Sequence, residues 1–291
     1  MSFSSDVKEE LSKISNLPNK DEVKTELIGY LITSNIEMQK NIIKYSTENQ
    51  YNINRFGKLL SNLGYVDYKI EIQRKVYSIT VKQLDLAEIN FNNKGIYLNN
   101  LEFINKKEKL EKAIVRGCFM GSGSINNPKN KYHIEILFKE EQNAKLILEI
   151  LEEYSIEFKI LENSNTLYSK DGEEISKFLA FIGANTSVLK FEDIRVYREM
   201  RNNVNRLVNC ETANINKIAT AAAKQINAIN KIKQKGKFDA LPENLKEIAE
   251  IREKNPEMSL VELGKLLKNP IGKSGVNHRL KTIEKIAEEI K

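Results

Sequence analysis

Cysteine and histidine are scarce in this sequence, and their scarcity excludes several kinds of site. The 291 residues include two cysteines, Cys118 and Cys210, and two histidines, His133 and His278. These four residues lie far apart along the chain, so their spacing predicts neither a disulfide framework nor a zinc site. We expect a protein with no metal site and no cofactor.

Long apolar runs are also missing. No segment approaches the roughly twenty apolar residues of a membrane-spanning helix, and the opening, MSFSSDVKEEL, lacks the apolar stretch of a signal peptide. We therefore expect a soluble, cytoplasmic protein with no membrane partner. Hydrophobic residues still make up 41% of the chain, and the charged 30% is mixed in sign, so the chain is expected to fold around ordinary cores.

Positive charge is concentrated in the last third of the chain. Residues 195–291 contain 20 Lys and Arg against 12 Asp and Glu, and residues 195–237 alone contain 10 against 2. Residues 1–194 contain 26 against 28, so that part is slightly negative. A localised basic segment is typical of a protein that binds a polyanion, and a solvated lysine-rich helix has the same composition. Composition alone leaves both interpretations open.

The first two thirds contain an internal repeat. Residues 24–36 (KTELIGYLITSNI) align with residues 112–124 (KAIVRGCFMGSGS), which places Gly29 on Gly117 and Ser34 on Ser122. Each half then follows the pattern helix–strand–helix–strand–strand–helix, and two such units packed through their first helices predict a pseudo-twofold α+β domain. A glycine inside a helix costs about 1 kcal/mol relative to alanine, so its presence in both halves predicts a close helix–helix contact there.

The remaining elements follow from periodicity in each half. The first half is predicted to continue with a strand near 41–47, a helix over 51–64, strands over 66–73 and 77–82, and a closing helix over 84–91. The corresponding predictions in the second half are a strand near 132–138, a helix over 139–152, strands over 154–161 and 165–170, and a closing helix over 172–179.

Two of these segments resemble known proteins. LIGYLITSN and VRGCFMGSGS resemble degenerate copies of the helix motif of LAGLIDADG homing endonucleases. The second copy, extended to RGCFMGSGSINNPKNKYHIEI, and the opening FSSDVKEEL are similar to the WhiA family of bacterial sporulation and cell-division regulators. The resemblance implies a LAGLIDADG-like domain over residues 1–194, with repeats at about 1–100 and 101–194.

The nuclease motif lacks its metal ligands in this sequence. In the nucleases each motif helix ends in an acidic residue that holds a divalent metal, and the matching positions here are Ser34 and Ser122. A serine hydroxyl is a poor substitute for a carboxylate at such a metal. We therefore expect no catalysis, and an active endonuclease is the disfavoured alternative. The predicted strands carry Lys69, Arg74, Lys75 and Lys82 but also acids such as Glu71. We thus expect protein contacts or weak DNA contacts in this domain.

The basic segment 195–237 is predicted to be a helical connector. Four arginines recur along it at short steps and are candidates for contacts to the DNA backbone: Arg195, Arg198, Arg201 and Arg206. The alternative is an amphipathic connector that docks on a neighbouring domain, because the apolar residues further along also keep helical spacing.

Residues 238–291 read as an all-α helix-turn-helix domain. Helices are predicted over 243–254, 260–267 and 275–290, and Ser259 with Glu262 predicts a capping box at the start of the second. GKSGVNHRL resembles the WhiA recognition segment. The candidate DNA-binding residues at the start of the third helix are Lys273, Ser274, Asn277, His278, Arg279 and Lys281. Asn277 and His278 rank above Arg279 for reading bases, since Arg279 adjoins the buried stripe. A three-helix module used only for protein contacts is the alternative.

The sequence and the resemblance together lead to one functional hypothesis. The chain is expected to be a non-catalytic protein that binds double-stranded DNA. The resemblance implies a WhiA-type transcriptional regulator in cell division, chromosome segregation or sporulation, associated with the nucleoid and with a second regulatory protein as a candidate partner. An RNA-binding or protein-binding adaptor is the remaining alternative.

Overall fold

The chain divides into two units. The structure, a computed structural model, describes residues 2–33, 35–39, 42–82, 84, 86–91, 96–161 and 164–290. Contacts between residues separate unit 1, Met1–Glu199, from unit 2, Met200–Lys291. None of the helices in these described ranges is long and apolar enough to cross a membrane.

In the part of the chain that the structure describes, unit 1 combines helices with three antiparallel sheets. Its helices are α1 (Phe3–Ser12), α2 (Lys20–Leu31), α3 (Gln50–Asn62), α4 (Glu108–Ser122), α5 (Glu141–Glu153) and α6 (Gly172–Ile182), with a short 3-10 helix at Glu102–Ile104. Its strands are β1 (Ile36–Gln39), β2 (Ile42–Thr47), β3 (Tyr68–Gln73), β4 (Val76–Lys82), β5 (Ile89–Phe91), β6 (Ile96–Leu98), β7 (Ser124–Ile125), β8 (Ile134–Leu137), β9 (Lys159–Leu161) and β10 (Thr166–Ser169).

The two larger sheets have the same topology. The first sheet has the order β1-β2-β4-β3 and the second the order β7-β8-β10-β9, with antiparallel neighbours in both. An isolated β-bridge pairs Thr33, just before β1, with Phe138, just after β8. The repeated order confirms the predicted pseudo-twofold α+β domain.

The two halves meet where α2 packs on α4. A Cβ atom added to Gly29 would lie 2.9 Å from the Gly117 Cα and closer still to the Ile114 carbonyl oxygen. A Cβ atom added to Gly117 would lie 3.0 Å from the Gly29 Cα and closer still to the Glu26 carbonyl oxygen. The predicted close contact at the paired glycines is therefore confirmed, because only glycine lets the two backbones approach this far.

A buried cluster of charges lies beside this contact. Glu26 on α2 accepts hydrogen bonds from Arg55 Nε at 2.8 Å, Arg55 Nη2 at 2.9 Å and Arg116 Nε at 3.1 Å. Asn16 Nδ2 donates to the same carboxylate at 2.9 Å. Burial alone would raise the pKa of Glu26, but Arg116 and Arg55 outweigh burial and hold that pKa below its usual value. The cluster ties together α2, α3 and α4.

The first half departs from the repeat after β4. The helix predicted over 84–91 is wrong, because Ile89–Phe91 is strand β5 and pairs with β6. The backbone of β6 is held by a buried side chain from α5: Leu98 N donates to Asn143 Oδ1 at 3.0 Å, and Asn143 Nδ2 donates to Ile96 O at 2.8 Å. In the second half, the strand predicted over 154–161 is shorter, since α5 continues to Glu153 and β9 begins at Lys159.

Unit 2 is built from helices only among its described residues. A long helix, α7 (Asn185–Gln234), enters it, and α8 (Glu243–Lys254), α9 (Leu260–Lys265) and α10 (Lys273–Glu289) follow. Ile229 and Ile232, which the sequence places in the connector, are buried in the same core as the three short helices. The predicted capping box of Ser259 and Glu262 is confirmed at the start of α9.

Candidate nucleic-acid interface

The connection from α9 to α10 is tight because of a glycine that sequence reasoning missed. Ile271 N donates to Gly264 O at 3.2 Å. A Cβ atom at Gly264 would lie 3.0 Å from Val276 Cγ2 and closer to the Ile271 carbonyl oxygen. The only available signal was a glycine inside a short helix, which is unfavourable unless close packing requires it. Gly264 thereby sets how closely α10 follows α9.

A buried arginine holds the loop before α9. Arg252 on α8 is 1% exposed, and its Nη1 donates to Met258 O at 2.7 Å. Weaker bonds at 3.4 Å reach the carbonyl oxygens of Asn255 and Pro256. Burial lowers the pKa of Arg252. These bonds fix the chain just before Ser259, where α9 begins, so they position the second helix against the first.

Helix α10 has a buried side and an exposed side. Val276, Leu280 and Ile283 are buried in the core of unit 2. The exposed residues of its first half are Lys273, Ser274, His278 and Lys281. Positions 274, 278 and 281 follow the spacing of one helical face, so these donor-rich side chains lie on the side away from the core.

The two remaining candidates on α10 lie at the margins of this exposed side. Asn277 is half-buried and adjoins His278. Arg279 is also half-buried, and its Nη1 lies 3.5 Å from the carbonyl oxygen of Asn244 on α8. The structure thus brings Asn277 next to the exposed residues, whereas Arg279 is turned toward α8.

Acidic charge is kept away from the exposed side of α10. The one acidic residue between positions 265 and 285 is Glu284. Its Oε2 lies 2.8 Å from Lys224 Nζ on α7, and a hydrogen bond from that carboxylate raises the pKa of Lys224. Because Glu284 is paired on the α7 side, the positive potential of Lys273 and Lys281 is not cancelled by a neighbour on α10.

The four arginines of the basic segment have different surroundings. Arg195 Nε lies 3.0 Å from Glu192 Oε2. Arg198 Nη1 donates to Pro128 O at 2.6 Å, and its guanidinium carbon lies 4.4 Å from the centre of the Tyr132 ring. These two side chains are engaged by residues of unit 1. The other two, Arg201 and Arg206, are exposed.

The positions that match the nuclease acids are only partly described. Ser34 lies outside the described residues. Ser122 Oγ donates to Leu137 O at 2.7 Å and accepts from Leu137 N at 3.1 Å. This hydroxyl therefore binds the last residue of α4 to the backbone of β8. Within the described ranges, no group of three or more His, Cys, Asp or Glu side chains could hold a metal ion.

The outer faces of the two sheets in unit 1 are chemically mixed. Ile79 and Val81 on β4 are buried, so the alternate side chains of the β3–β4 pair, including Lys69, Glu71 and Lys82, lie on the opposite face. In the second sheet that face carries Leu137 and Leu161, which are 36% and 49% exposed and lie on either side of β10. These two faces therefore combine basic, acidic and apolar side chains.

Comparisons with known proteins cover the whole chain. Residues 111–201 match the family model described as the WhiA LAGLIDADG-like domain, and residues 204–287 match the WhiA C-terminal HTH domain. The chain is 38% identical over 314 residues to a Clostridium tetani protein named "probable cell division protein WhiA", covering 100% of this chain and 98% of that one. A Thermoanaerobacter sp. protein of the same name is 39% identical, with the same coverage.

Two solved structures are similar to this one. Full-length WhiA from Thermatoga maritima superposes with a TM-score of 0.60 at 30% identity, covering 100% of this chain and 99% of that one. A structure of the N-terminal LAGLIDADG domain of WhiA superposes with a TM-score of 0.50 at 26% identity, covering 62% of this chain and 92% of the other.

Proposed function

This chain belongs to the WhiA family, and we propose that it binds double-stranded DNA through the first half of α10 and does not cleave it. The observation that carries this proposal is the exposed side of α10, where Lys273, Ser274, His278 and Lys281 follow a tight turn from α9. A helix presented in this way fits the major groove of B-form DNA.

The exposed side chains divide by the groups they would contact. Lys273, Ser274 and Lys281 are suited to phosphate oxygens, because ammonium and hydroxyl donors position a helix without reading bases. Asn277 and His278 are the candidates for base edges, since an asparagine amide matches the donor and acceptor of adenine. Arg279 is a weaker candidate for contacts to base edges, because its side chain is turned toward Asn244.

A regulatory role follows from the binding site and the family. We propose that residues 238–291 recognise DNA, that residues 195–237 connect them to the rest of the chain, and that residues 1–194 form a LAGLIDADG-like domain used for contacts with a second protein or for weak DNA contacts. The relatives are named cell division proteins. We extend to this chain a role in transcription during cell division, chromosome segregation or sporulation, carried out at the nucleoid in the cytoplasm.

The absence of cleavage rests on the chemistry of the motif positions. Serine stands at both positions where the nucleases carry acids. The hydroxyl of Ser122 is further occupied by two backbone hydrogen bonds. Phosphodiester cleavage by this motif needs carboxylate oxygens to hold the metals on both sides of the scissile phosphate.

Binding and cleavage are tested together on supercoiled plasmid DNA. We expect the full chain to retard the plasmid in a gel and to leave it intact with either magnesium or manganese present. An equal mass of RNA should compete poorly, because the major groove of an RNA helix is too narrow to admit α10. Metal-dependent double-strand breaks that disappear in the Ser122→Ala variant would contradict the non-catalytic role, and preferential binding of RNA would contradict the assignment to DNA.

A further inference from the structure

The first part of α7 within unit 2 exposes large apolar side chains. Met200 is 63% exposed, Val204 58%, Leu207 61%, Val208 51% and Ile215 65%. Met200, Val204, Val208 and Ile215 are spaced by four or seven residues, and Leu207 lies three residues after Val204, so the five form a stripe along one side of the helix. A contiguous exposed apolar stripe on a folded protein marks a surface that another molecule covers.

This stripe continues a seam that is already buried further along the same helix. Steps of three and four residues run from position 201 through 204, 208, 211, 215 and 218 to 222, 225, 229 and 232. The last four of these positions, Ala222, Gln225, Ile229 and Ile232, are buried. The seam of α7 is therefore buried over its second half and exposed over its first half. A coiled-coil helix without its partner helix exposes its seam in the same way.

The bare half of the seam is self-complementary. Around a point midway between Val204 and Val208, the seam reads Arg201, Val204, Val208, Glu211. An antiparallel copy of the helix would place Val204 against Val208 and Arg201 against Glu211, and twofold symmetry would repeat both pairs. A parallel copy would instead place Arg201 against Arg201 and Glu211 against Glu211, which is repulsive.

We propose that a second copy of this chain docks on this seam, with the two α7 helices antiparallel over residues 200–212. Arg206 lies at the centre of the segment but off the seam, so its charge points away from the partner. Thirteen residues of helix span about 20 Å. An interface of this size is small. The protein is therefore expected to be dimeric at high concentration and monomeric at low concentration.

The proposal is independent of DNA binding, and its test uses the full chain without DNA. Sedimentation equilibrium should show a concentration-dependent change from monomer to dimer. Val208→Glu should raise the dimer dissociation constant by about tenfold or more, because it places a charge against Val204 in both symmetric contacts. Circular dichroism checks that the fold is retained, as expected for a residue on the helix surface.

Charge reversal distinguishes the antiparallel pairing from other contacts. Arg201→Glu and Glu211→Arg should each weaken the dimer by about tenfold, since two attractive pairs become repulsive, and the double variant should return to within about threefold of the parent. Arg206→Glu is the matched control: it makes the same change of charge on the same helix and should leave the dissociation constant within about threefold of the parent.

Three outcomes would overturn the proposal. The first is a chain that stays monomeric up to about 1 mM, a concentration at which an interface with a dissociation constant of about 1 mM would associate. The second is a dimer that Val208→Glu leaves unchanged, or whose paired reversal fails to restore association. The third is a monomeric protein whose affinity for plasmid DNA or for a heterologous protein is lowered by Val208→Glu. In that case the other molecule, and not a second copy of this chain, would occupy the seam.

Discussion

Glu26→Gln is expected to lower the free energy of unfolding of unit 1 by about 3–5 kcal/mol. The substitution keeps the shape of the side chain but removes its negative charge. Arg55 and Arg116 are both at least nine-tenths buried, and each donates to the Glu26 carboxylate. Without that carboxylate, both guanidinium groups remain buried and charged, and none of their other hydrogen-bond partners among the described residues is a carboxylate.

The loss should depend on pH in a defined direction. The folded protein keeps the pKa of Glu26 below the ordinary glutamate value of 4.5. The stability from this lowered pKa is fully present above the unfolded value and is lost as pH falls through the lower folded value. The free energies of unfolding of the parent and of Glu26→Gln should therefore differ by a constant amount near neutral pH. This difference should become smaller below about pH 4.

A surface ion pair provides the control for the buried cluster. Glu9 and Lys13 lie 2.7 Å apart on α1, with side chains 27% and 68% exposed. Glu9→Gln should have a much smaller effect on the free energy of unfolding than Glu26→Gln, because solvent screens an exposed pair. Urea denaturation of both variants measures the difference, and a loss below about 1 kcal/mol for Glu26→Gln would contradict the structural role of the cluster.

Alanine at either Gly29 or Gly117 should lower the free energy of unfolding by about 1–3 kcal/mol, and leucine should lower it further. In both positions the added Cβ would meet backbone atoms of the facing helix, which cannot rotate away as a side chain can. The helices would have to separate, and the packing around the buried cluster would loosen with them. The two sites should respond alike, since each glycine faces the other.

Gly57 is the matched control for the glycine contact. It also lies inside a helix, but a Cβ there would meet the Ile79 side chain at 3.4 Å, an ordinary contact distance. Gly57→Ala should therefore be neutral or stabilise by up to about 1 kcal/mol through helix propensity. Thermal or urea unfolding that shows equal effects at Gly57 and Gly117 would contradict the close approach of α2 and α4.

Periodicity and the repeat were sufficient to predict most of the architecture. The paired glycines could be recognised because the same residue stands at the same register in two related helices. The three short helices of unit 2 could be placed because capping and helix-breaking residues, such as Ser259 and Pro256, punctuate them. Helix α1 has buried Phe3, Val7 and Leu11 at four-residue steps, and this spacing in the sequence is also typical of a helix.

Other features depend on contacts between residues distant in sequence. The β5–β6 hairpin replaces a predicted helix because Asn143, 45 residues beyond Leu98, binds the backbone of β6. The charged cluster joins Glu26 to Arg55 and Arg116, and no local pattern links these three residues. Tertiary contacts of this kind override local propensity and cannot be read from periodicity.

The candidate interface on α10 shows the same division. The exposed and buried sides of the helix follow from its spacing, and Lys273, Ser274, His278 and Lys281 lie on the exposed side as their positions require. The orientation of Arg279 toward Asn244 depends on where α8 packs. The role of Gly264 depends on the path of the turn that faces it. Neither of these two features is fixed by α10 itself.

The central claim, that α10 recognises DNA, is tested most directly by affinity against salt. Affinity is measured for two DNA duplexes. One is enriched from a random pool by binding to the parent protein, and the other is an unselected duplex. Asn277→Ala should cost about 1–3 kcal/mol on the enriched duplex and little on the other, because it removes a base contact. Lys273→Ala should weaken both alike and lower the slope of log affinity against log salt by about one. Arg206→Ala should lower the affinity for either duplex less than Lys273→Ala does, because Arg206 lies on α7 and not on the exposed side of α10. If both α10 variants bind like the parent and Arg206→Ala abolishes binding, the basic segment of α7 is the DNA site and the claim is wrong.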